Sequence, residues 1–163
     1  KRKNIISRRT ITGITSTKND SKVTLVGVKD RPGVAAEIFR PLSKNQINVD
    51  MVVQNISASS NTTDLTFTIK TDDLNKTIKL IKDNNKIYFK KLLIDKNVSK
   101  LSIIGVGMIT TPGVTYRMFQ TLANKGINIL VISTSEIKIS VLINKKNINK
   151  AIYALHKEFK LEV

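Results

Sequence analysis

The loop after the first predicted strand carries the residue types best suited to binding a small charged molecule. A strand ends at Gly27-Val28, the loop Lys29-Asp30-Arg31-Pro32-Gly33 follows, and a helix is predicted to begin at Val34. Unpaired backbone N–H groups and the positive end of the helix dipole favour an anion there, and a carboxylate is the expected size. Asp30 and Asp50 could hold an ammonium group, so the pattern predicts a site for an α-amino acid. The alternative is a simple turn, for which Asp, Pro and Gly are also typical.

A nucleotide is not the expected ligand, because neither glycine-rich phosphate-binding pattern, G-x-G-x-x-G or G-x-x-x-x-G-K-[ST], occurs. A second polar group, Ser133-Thr134-Ser135-Glu136, lies at the turn between two predicted strands. Its hydroxyls and carboxylate could bind an amine or an amide, but without a nearby basic partner in the sequence they are not an activated nucleophile. An ordinary hairpin turn is the alternative.

The composition argues against a hydrolytic enzyme. With no cysteine there can be no disulfide, thiolate metal site or cysteine nucleophile, and a reducing compartment is expected. The one histidine, His156, fits a surface position on a predicted helix. Serine or metal hydrolysis normally needs a histidine. We therefore expect no catalysis by this chain, no metal and no cofactor.

The charge raises nucleic-acid binding as an alternative. The chain has 28 Lys and Arg against 12 Asp and Glu, a formal charge of +16. Single-strand RNA binders of the ferredoxin-like class place aromatic residues on central strands, whereas these strands carry Val, Ile and Leu. No apolar run approaches the roughly 18–20 residues of a membrane span. We expect a cytoplasmic protein that binds neither nucleic acid nor membrane.

The chain contains an internal repeat. Pro32-Gly33 and Pro112-Gly113 are 80 residues apart, and so are Asn48 and Asn128. The preceding glycines, Gly27 and Gly105, are 78 apart, so the second copy has two extra residues in this loop. A unit of this length suits a small domain copied in tandem.

Each copy predicts the order β-α-β-β-α-β. In the first copy Pro41 should end or kink the helix near Arg40. Its predicted elements are strand 23–28, the helix from 34, strand 47–56, strand 65–69, helix 74–81 and strand 87–94. Those of the second copy are strand 101–106, helix 114–125, strand 129–133, strand 138–143 and helix 147–159.

The second copy lacks a clear final strand, whereas residues 10–15 form a strand without an assigned partner. We expect this N-terminal strand to complete the sheet of the second copy. Residues 97–100 then form a junction rather than a flexible linker. The predicted divisions are an N-terminal segment 1–16, a first domain 17–97 and a second domain 98–163.

The residues resemble a known family. Residues 23–36, 47–55 and 62–67 closely resemble the first ACT domain of bacterial aspartate kinase. The second copy resembles the second ACT domain through Pro112-Gly113-Val114, through residues 126–129 and above all through the run ISTSEIKISV at 132–141, which is specific to aspartate kinases. The resemblance covers nearly everything from Thr10 to Phe159. It favours this family over ACT domains that regulate other amino-acid enzymes.

The resemblance implies an α+β fold of two tandem ferredoxin-like ACT domains, each a four-stranded antiparallel sheet with both helices on one face. It also implies a regulatory module that binds lysine, threonine or both and mediates feedback inhibition of the first step of the aspartate-family pathway. No kinase domain is in this chain, which resembles the C-terminal regulatory half that some bacteria also make as a separate small subunit. Such a subunit and a fragment are both open, and the absence of an initiating Met favours a fragment. The expected partners are an aspartate kinase catalytic domain or subunit and a second copy, like domain against like, with effector sites at the seams.

The resemblance also assigns effector residues. In the loop they are Asp30, Arg31, Pro32, Gly33, Val34 and Ala35, and on the adjoining strand Asn48, Val49, Asp50, Gln54 and Ser57. Asn128, Ile129, Thr134, Ser135 and Glu136 of the second domain would face them. Two departures from the family pattern, Leu130-Val131 and the absence of an acid at 107–111, favour the first-copy site over a symmetric second one.

Overall fold

The computed structural model describes residues 11–105 and 113–160. These residues form seven strands and four α-helices. In chain order they are β1 (Ile11–Ser16), β2 (Asp20–Lys29), α1 (Val34–Lys44), β3 (Asp50–Ile56), β4 (Thr62–Lys70), α2 (Leu74–Lys82), β5 (Lys91–Gly105), α3 (Val114–Asn124), β6 (Val131–Thr134), β7 (Lys138–Asn144) and α4 (Ile148–Phe159). None of these four helices is long and apolar enough to cross a bilayer.

The chain divides into two compact units. Residues 19–97 form the central unit, and the described residues on either side of it, 11–18 and 98–160, form the flanking unit. The strand order is β3-β4-β2-β5 in the central unit and β1-β5-β7-β6 in the flanking unit. β5 occurs in both sheets because this long strand crosses the boundary between the units. The pairs β2–β4, β3–β4, β1–β5, β5–β7 and β6–β7 are antiparallel. The expected α+β fold of two tandem ferredoxin-like units is confirmed.

The N-terminal strand completes the sheet of the flanking unit, as the sequence predicts. Ile14 lies opposite Ile103, and Ser16 lies opposite Leu101. The pairing continues beyond β1, where the Thr17 N–H donates to the Lys100 carbonyl at 2.9 Å and the Lys100 N–H donates to Thr17 Oγ1 at 3.0 Å. The junction at 97–100 is therefore hydrogen-bonded β structure.

A bulge in β2 keeps its apolar residues on the buried face. Leu25 and Val28 are both fully buried, although positions three apart point to opposite faces of a regular strand. The register shift between these two residues restores the phase. Gly27 lies inside the bulge with φ +69°, a left-handed value that glycine adopts without strain.

The core of the central unit lies between one face of its sheet and its two helices. Phe39 of α1 packs edge-to-face on Phe67 of β4, with ring centroids 5.2 Å apart. The largest buried side chains are Leu25, Phe67 and Ile69 from the strands and Ile38, Leu42, Leu74 and Ile81 from the helices. In both helices these residues are spaced four or seven apart, which places them on one side.

The core of the flanking unit is built in the same way. Its fully buried members include Leu101, Ile103, Val141 and Ile143 from the strands and Met118, Leu122, Ala151 and Leu155 from the helices. The two copies of the sequence repeat therefore also share the same arrangement of core residues between sheet and helices.

Several strand boundaries differ from the prediction. β3 begins at Asp50 rather than at residue 47, because the Ile47 N–H donates to the Leu42 carbonyl at 3.0 Å and closes the end of α1. β6 likewise begins at Val131 rather than at 129. The strands predicted at 87–94 and 101–106 are one strand, β5, which begins at Lys91. Val106 lies outside the described residues.

The prediction that Pro41 ends α1 near Arg40 is wrong, since the helix runs to Lys44. A proline lacks the N–H that would donate to the carbonyl four residues earlier, here that of Glu37. Asn84, in the loop after α2, supplies the missing donor: its Nδ2 lies 3.0 Å from the Glu37 oxygen. The helix continues because a side chain distant in sequence satisfies the orphaned carbonyl.

Candidate effector site

The loop between β2 and α1 is fixed at a corner of the central unit. The Asp30 N–H donates to the Asn61 carbonyl at 2.8 Å, and the Ser57 N–H donates to the neighbouring Thr62 carbonyl at 3.1 Å. The Asp30 loop and the turn between β3 and β4 therefore lie side by side. The Asp30 side chain is exposed at this corner.

The first turn of α1 points its N–H groups towards this corner. Gly33 precedes the helix with φ +86°, and no side chain caps the helix start. The Val34 N–H donates to the Arg31 carbonyl at 3.2 Å, and the Glu37 N–H donates to Gly33 at 3.0 Å. The N–H groups that an anion would meet are those of Ala35 and the residue after it. Val34 itself is buried at 6% exposure, so its side chain anchors the loop to the core.

The guanidinium of Arg31 is partly engaged within the fold. Its Nη2 donates to the Lys86 carbonyl at 2.9 Å, which ties the loop between β2 and α1 to the segment after α2. A guanidinium has five N–H donors, so this bond leaves others for a ligand carboxylate. Pro32 and Gly33 are exposed and give the loop its turn.

The predicted residues on and before β3 do not all reach this corner. Gln54 lies opposite Leu65, so it shares the helix-bearing face of the sheet with α1. Asp50, in contrast, lies opposite Thr68, whereas Lys29, next to Asp30, lies opposite Thr62. Six residues of β4 separate these positions, a distance of about 20 Å. Within one chain the structure places the turn that begins at Ser57 beside the loop, whereas Asp50, preceded by Asn48 and Val49, lies at the other end of β3.

Asp50 forms hydrogen bonds to an irregular stretch of backbone at the start of β3. Its Oδ1 accepts from the Met51 N–H at 2.9 Å, and its carbonyl accepts from Thr68 Oγ1 at 2.8 Å. Met51 has φ +47°, which is unusual for a non-glycine residue. Asp50 is nevertheless exposed.

The predicted residues of the flanking unit also form two groups, at opposite ends of β6. Asn128 and Ile129 precede the strand, and Thr134, Ser135 and Glu136 end it. The Ser135 N–H donates to the Lys138 carbonyl at 2.8 Å, so this group forms the hairpin turn. Glu136 is exposed on it. The acid-free loop at 107–111 lies outside the described residues.

Two positions that the sequence reasoning did not select help to build the corner. The Asn61 carbonyl accepts a hydrogen bond from the Asp30 N–H, and Asp64 Oδ1 accepts one from the Gly27 N–H at 2.9 Å inside the bulge. Only the pairing of β2 with β4 reveals them, because 31 and 37 residues separate the partners. The only partial signal was that Asp64 lies within a stretch that resembles the family.

The corner has the chemistry of a binding site rather than of a catalytic one. It combines an exposed carboxylate, a helix N-terminus and a guanidinium, which match the ammonium and carboxylate of an α-amino acid. Across residues 11–105 and 113–160, no three His, Asp or Glu side chains come close enough to hold a metal ion.

Comparison with known proteins assigns a family to this architecture. The model of the ACT domain family matches residues 23–84 and 101–159. An aspartokinase of Pseudomonas aeruginosa is 44% identical over 153 residues, which are 93% of this chain and 37% of that protein. The chain thus spans little more than a third of this curated relative.

Two solved structures match along almost their whole length. One chain from the crystal structure of aspartokinase alpha and beta subunits is 39% identical, with a TM-score of 0.82, covering 92% of this chain and 99% of that one. The ligand-free regulatory subunit of aspartate kinase from Thermus thermophilus is 33% identical, with a TM-score of 0.85, covering 93% of this chain and 99% of that one. With its two matched ACT domains, the chain belongs to the ACT domain family and is a regulatory ACT region of the aspartate kinase type.

Proposed function

We propose that this chain is the amino-acid sensor of an aspartate kinase and that it binds lysine, threonine or both in the cytoplasm. The observation that carries the proposal is the corner of the central unit, where the Asp30–Asn61 hydrogen bond holds a carboxylate beside the uncapped start of α1. Binding there would transmit feedback inhibition to a kinase catalytic domain or subunit. The match to a regulatory subunit of aspartate kinase over 99% of that chain supports that role.

The charges of the corner suit a zwitterion. Moving an ammonium group out of water is costly unless a carboxylate or several acceptors replace its hydration. The Asp30 carboxylate supplies that partner. The N–H groups at the start of α1 and the guanidinium of Arg31 do the same for the ligand carboxylate.

Asp50 enters this site in our proposal from a second copy of the chain. β3 is the edge strand of the central sheet, and its Val52 and Ile56 are 50% and 65% exposed. An exposed apolar edge favours pairing with another strand. If β3 pairs antiparallel with β3 of a second copy, the start of one strand lies beside the end of the other. Asp50 of one copy then approaches the turn after Ile56 of the other, where Asp30 is.

Calorimetric titration of the wild-type chain tests the function. Lysine or threonine should bind with a saturable heat, and the matching Nα-acetyl amino acid, which lacks the α-ammonium group, should not. Absence of binding by both amino acids would overturn the proposal.

The high positive charge makes nucleic-acid binding the rival function, and salt dependence can test it. Nonspecific nucleic-acid binding weakens steeply with salt because it releases counterions, whereas threonine carries no net charge and lysine only one, so their binding should respond less. Titration with single-stranded RNA at low and moderate salt separates the two. Tight RNA binding that resists salt, without any amino-acid response, would favour the rival.

A further inference from the structure

The two helix layers of the chain differ in charge although they are repeats of each other. In the central unit the segments 33–46 and 70–86 contain seven basic and four acidic residues. The corresponding segments of the flanking unit, 113–126 and 144–160, contain seven basic residues and one acidic residue, Glu158. The flanking layer is therefore more positive because it lacks acids, not because it has more lysines. A lysine-rich composition shared by the whole chain does not explain this difference.

The one acid of the flanking layer is already paired. Arg117 Nε lies 3.1 Å from Glu158 Oε1, and Arg117 Nη2 donates to the Glu158 carbonyl at 3.0 Å. The same guanidinium lies 4.7 Å from the centroid of the Phe159 ring. These contacts join the start of α3 to the end of α4, so the two helices run antiparallel. Because Glu158 is engaged, the lysines on this layer set its charge.

A groove between α3 and α4 contains two of these lysines beside an exposed aromatic ring. Its lining residues are Thr121, Asn124, Lys125, Tyr153, Ala154, Lys157 and Glu158. Tyr153 is 58% exposed, and the Lys157 ammonium lies 5.0 Å from its ring centroid. Lys150 lies three residues before Tyr153, on the same side of α4. Tyr116 of α3, 68% exposed, adds a second ring to the outer layer.

We infer that the groove between α3 and α4 is a docking surface for an acidic protein segment. Lysines flanking an exposed tyrosine offer ion pairs to Asp and Glu and an apolar contact to the residues between them. Aromatic residues are enriched where proteins meet. The equivalent groove of the central unit is lined by two acids, Glu37 and Asp83, beside three bases, so it presents one more carboxylate to such a segment than the groove between α3 and α4. This surface is separate from the amino-acid site, so either can fail alone.

Fluorescence anisotropy measures the binding of the full chain to a short labelled peptide composed of Glu, Ala and Leu. The double variant Lys125→Glu/Lys157→Glu should bind the peptide about tenfold more weakly or worse, as expected when two modest ion pairs become repulsions. The matched control is Lys76→Glu/Lys79→Glu on α2, which makes the same change in net charge and should have a smaller effect. Circular dichroism verifies that both variants fold.

A second pair of variants separates a docking site from simple charge attraction. Tyr153→Ser should weaken peptide binding about threefold to tenfold through the lost ring contact. Tyr88→Ser removes a ring that is 68% exposed but lies in the central unit, and should have no effect. Equal losses for the two lysine pairs, or no loss for Tyr153→Ser, would overturn the inference. So would tighter binding of single-stranded RNA than of the peptide with the same sensitivity to the variants, because the surface would then be a nucleic-acid interface.

Discussion

At the scale of single residues, the hydrogen bonds that hold the corner leave its charged groups able to bind a ligand. Asp30 is held through its N–H, so its exposed carboxylate is not used by the fold in that contact. Arg31 is held by one of its five donors. In our proposal the ligand meets charges whose positions are already set, which lowers the cost of ordering them on binding.

Replacing Asp30 by Asn should weaken amino-acid binding without unfolding the chain. The change preserves the size of the side chain and removes its charge. We expect a loss of about 1.5–3 kcal/mol, the range for hydrogen bonds to charged groups, or roughly tenfold to a hundredfold in affinity. Calorimetry measures it, with Asp83→Asn as the control because Asp83 is an exposed acid at the end of α2. Unchanged affinity in Asp30→Asn, with the fold intact, would place the site elsewhere.

Glu136→Gln asks whether the flanking unit reaches the same ligand. If it does, the affinity should fall as it does for Asp30→Asn. If the variant leaves both lysine and threonine binding unchanged in the same titration, the assignment of Thr134, Ser135 and Glu136 to the effector site is withdrawn.

Gly27→Ala should destabilise the central unit. A non-glycine residue in the left-handed region costs roughly 1–2 kcal/mol. The added Cβ would also lie 2.8 Å from Lys90 Cγ, so that side chain must move. Gly13→Ala is the control, since a Cβ there meets nothing within 4 Å. Urea denaturation should show a lower free energy of unfolding for Gly27→Ala and little change for the control. Equal effects would contradict this account of the bulge.

At the scale of elements, α1 depends on a loop from elsewhere in its unit. Its Pro41 leaves the Glu37 carbonyl without an intrahelical donor, and Asn84 supplies one. Asn84 Oδ1 also accepts from the Lys86 N–H at 3.1 Å, and Lys86 in turn accepts from Arg31. The path from Pro41 through Asn84 to Arg31 therefore connects the middle of α1 to the effector loop.

Asn84→Ala should lower the free energy of unfolding by about 1–2 kcal/mol, because a carbonyl loses its partner. In a Pro41→Ala background the same change should cost less, since residue 41 then has its own N–H for the Glu37 carbonyl. A double-mutant cycle measures this coupling. Asn85→Ala, at the exposed neighbouring position, is the control. If Asn84→Ala costs the same in both backgrounds, Asn84 does not substitute for the missing helix donor.

At the scale of the whole molecule, we expect a homodimer through like domains, with Asp30 and Asp50 of different copies at one site. Light scattering with saturating lysine and threonine measures the mass. A monomer at micromolar concentration would contradict the expectation.

Mixing two variants that each bind amino acid weakly tests directly whether the site is shared between copies. Asp30→Asn and Asp50→Asn should each bind amino acid weakly as homodimers. After subunit exchange, each mixed dimer has one site with both aspartates, so about a quarter of the wild-type number of sites should return. Mixing Asp30→Asn with the Asp30→Asn/Asp50→Asn double variant should restore none. If the first mixture binds no better than the control mixture, the two residues do not act across copies.

The sequence by itself determined the repeat, the order of elements and the loop with its acid. These features depend on local patterns: alternation of Val, Ile and Leu in strands, helical spacing from Val34, and the Pro-Gly turns. The missing last strand of the second copy also indicated that the N-terminal strand completes that sheet. Each conclusion needs only neighbouring residues or a comparison of the two copies.

Tertiary structure decided the features that depend on partners distant along the chain. The continuation of α1 past Pro41 needs Asn84, 43 residues later, and the corner needs Asn61 opposite Asp30. The separation of Asp30 from Asp50 follows from the register of β2 and β3 on β4, which side-chain packing sets. Local propensity carries no information about such partners, because a hydrogen bond or a register is formed by two segments together.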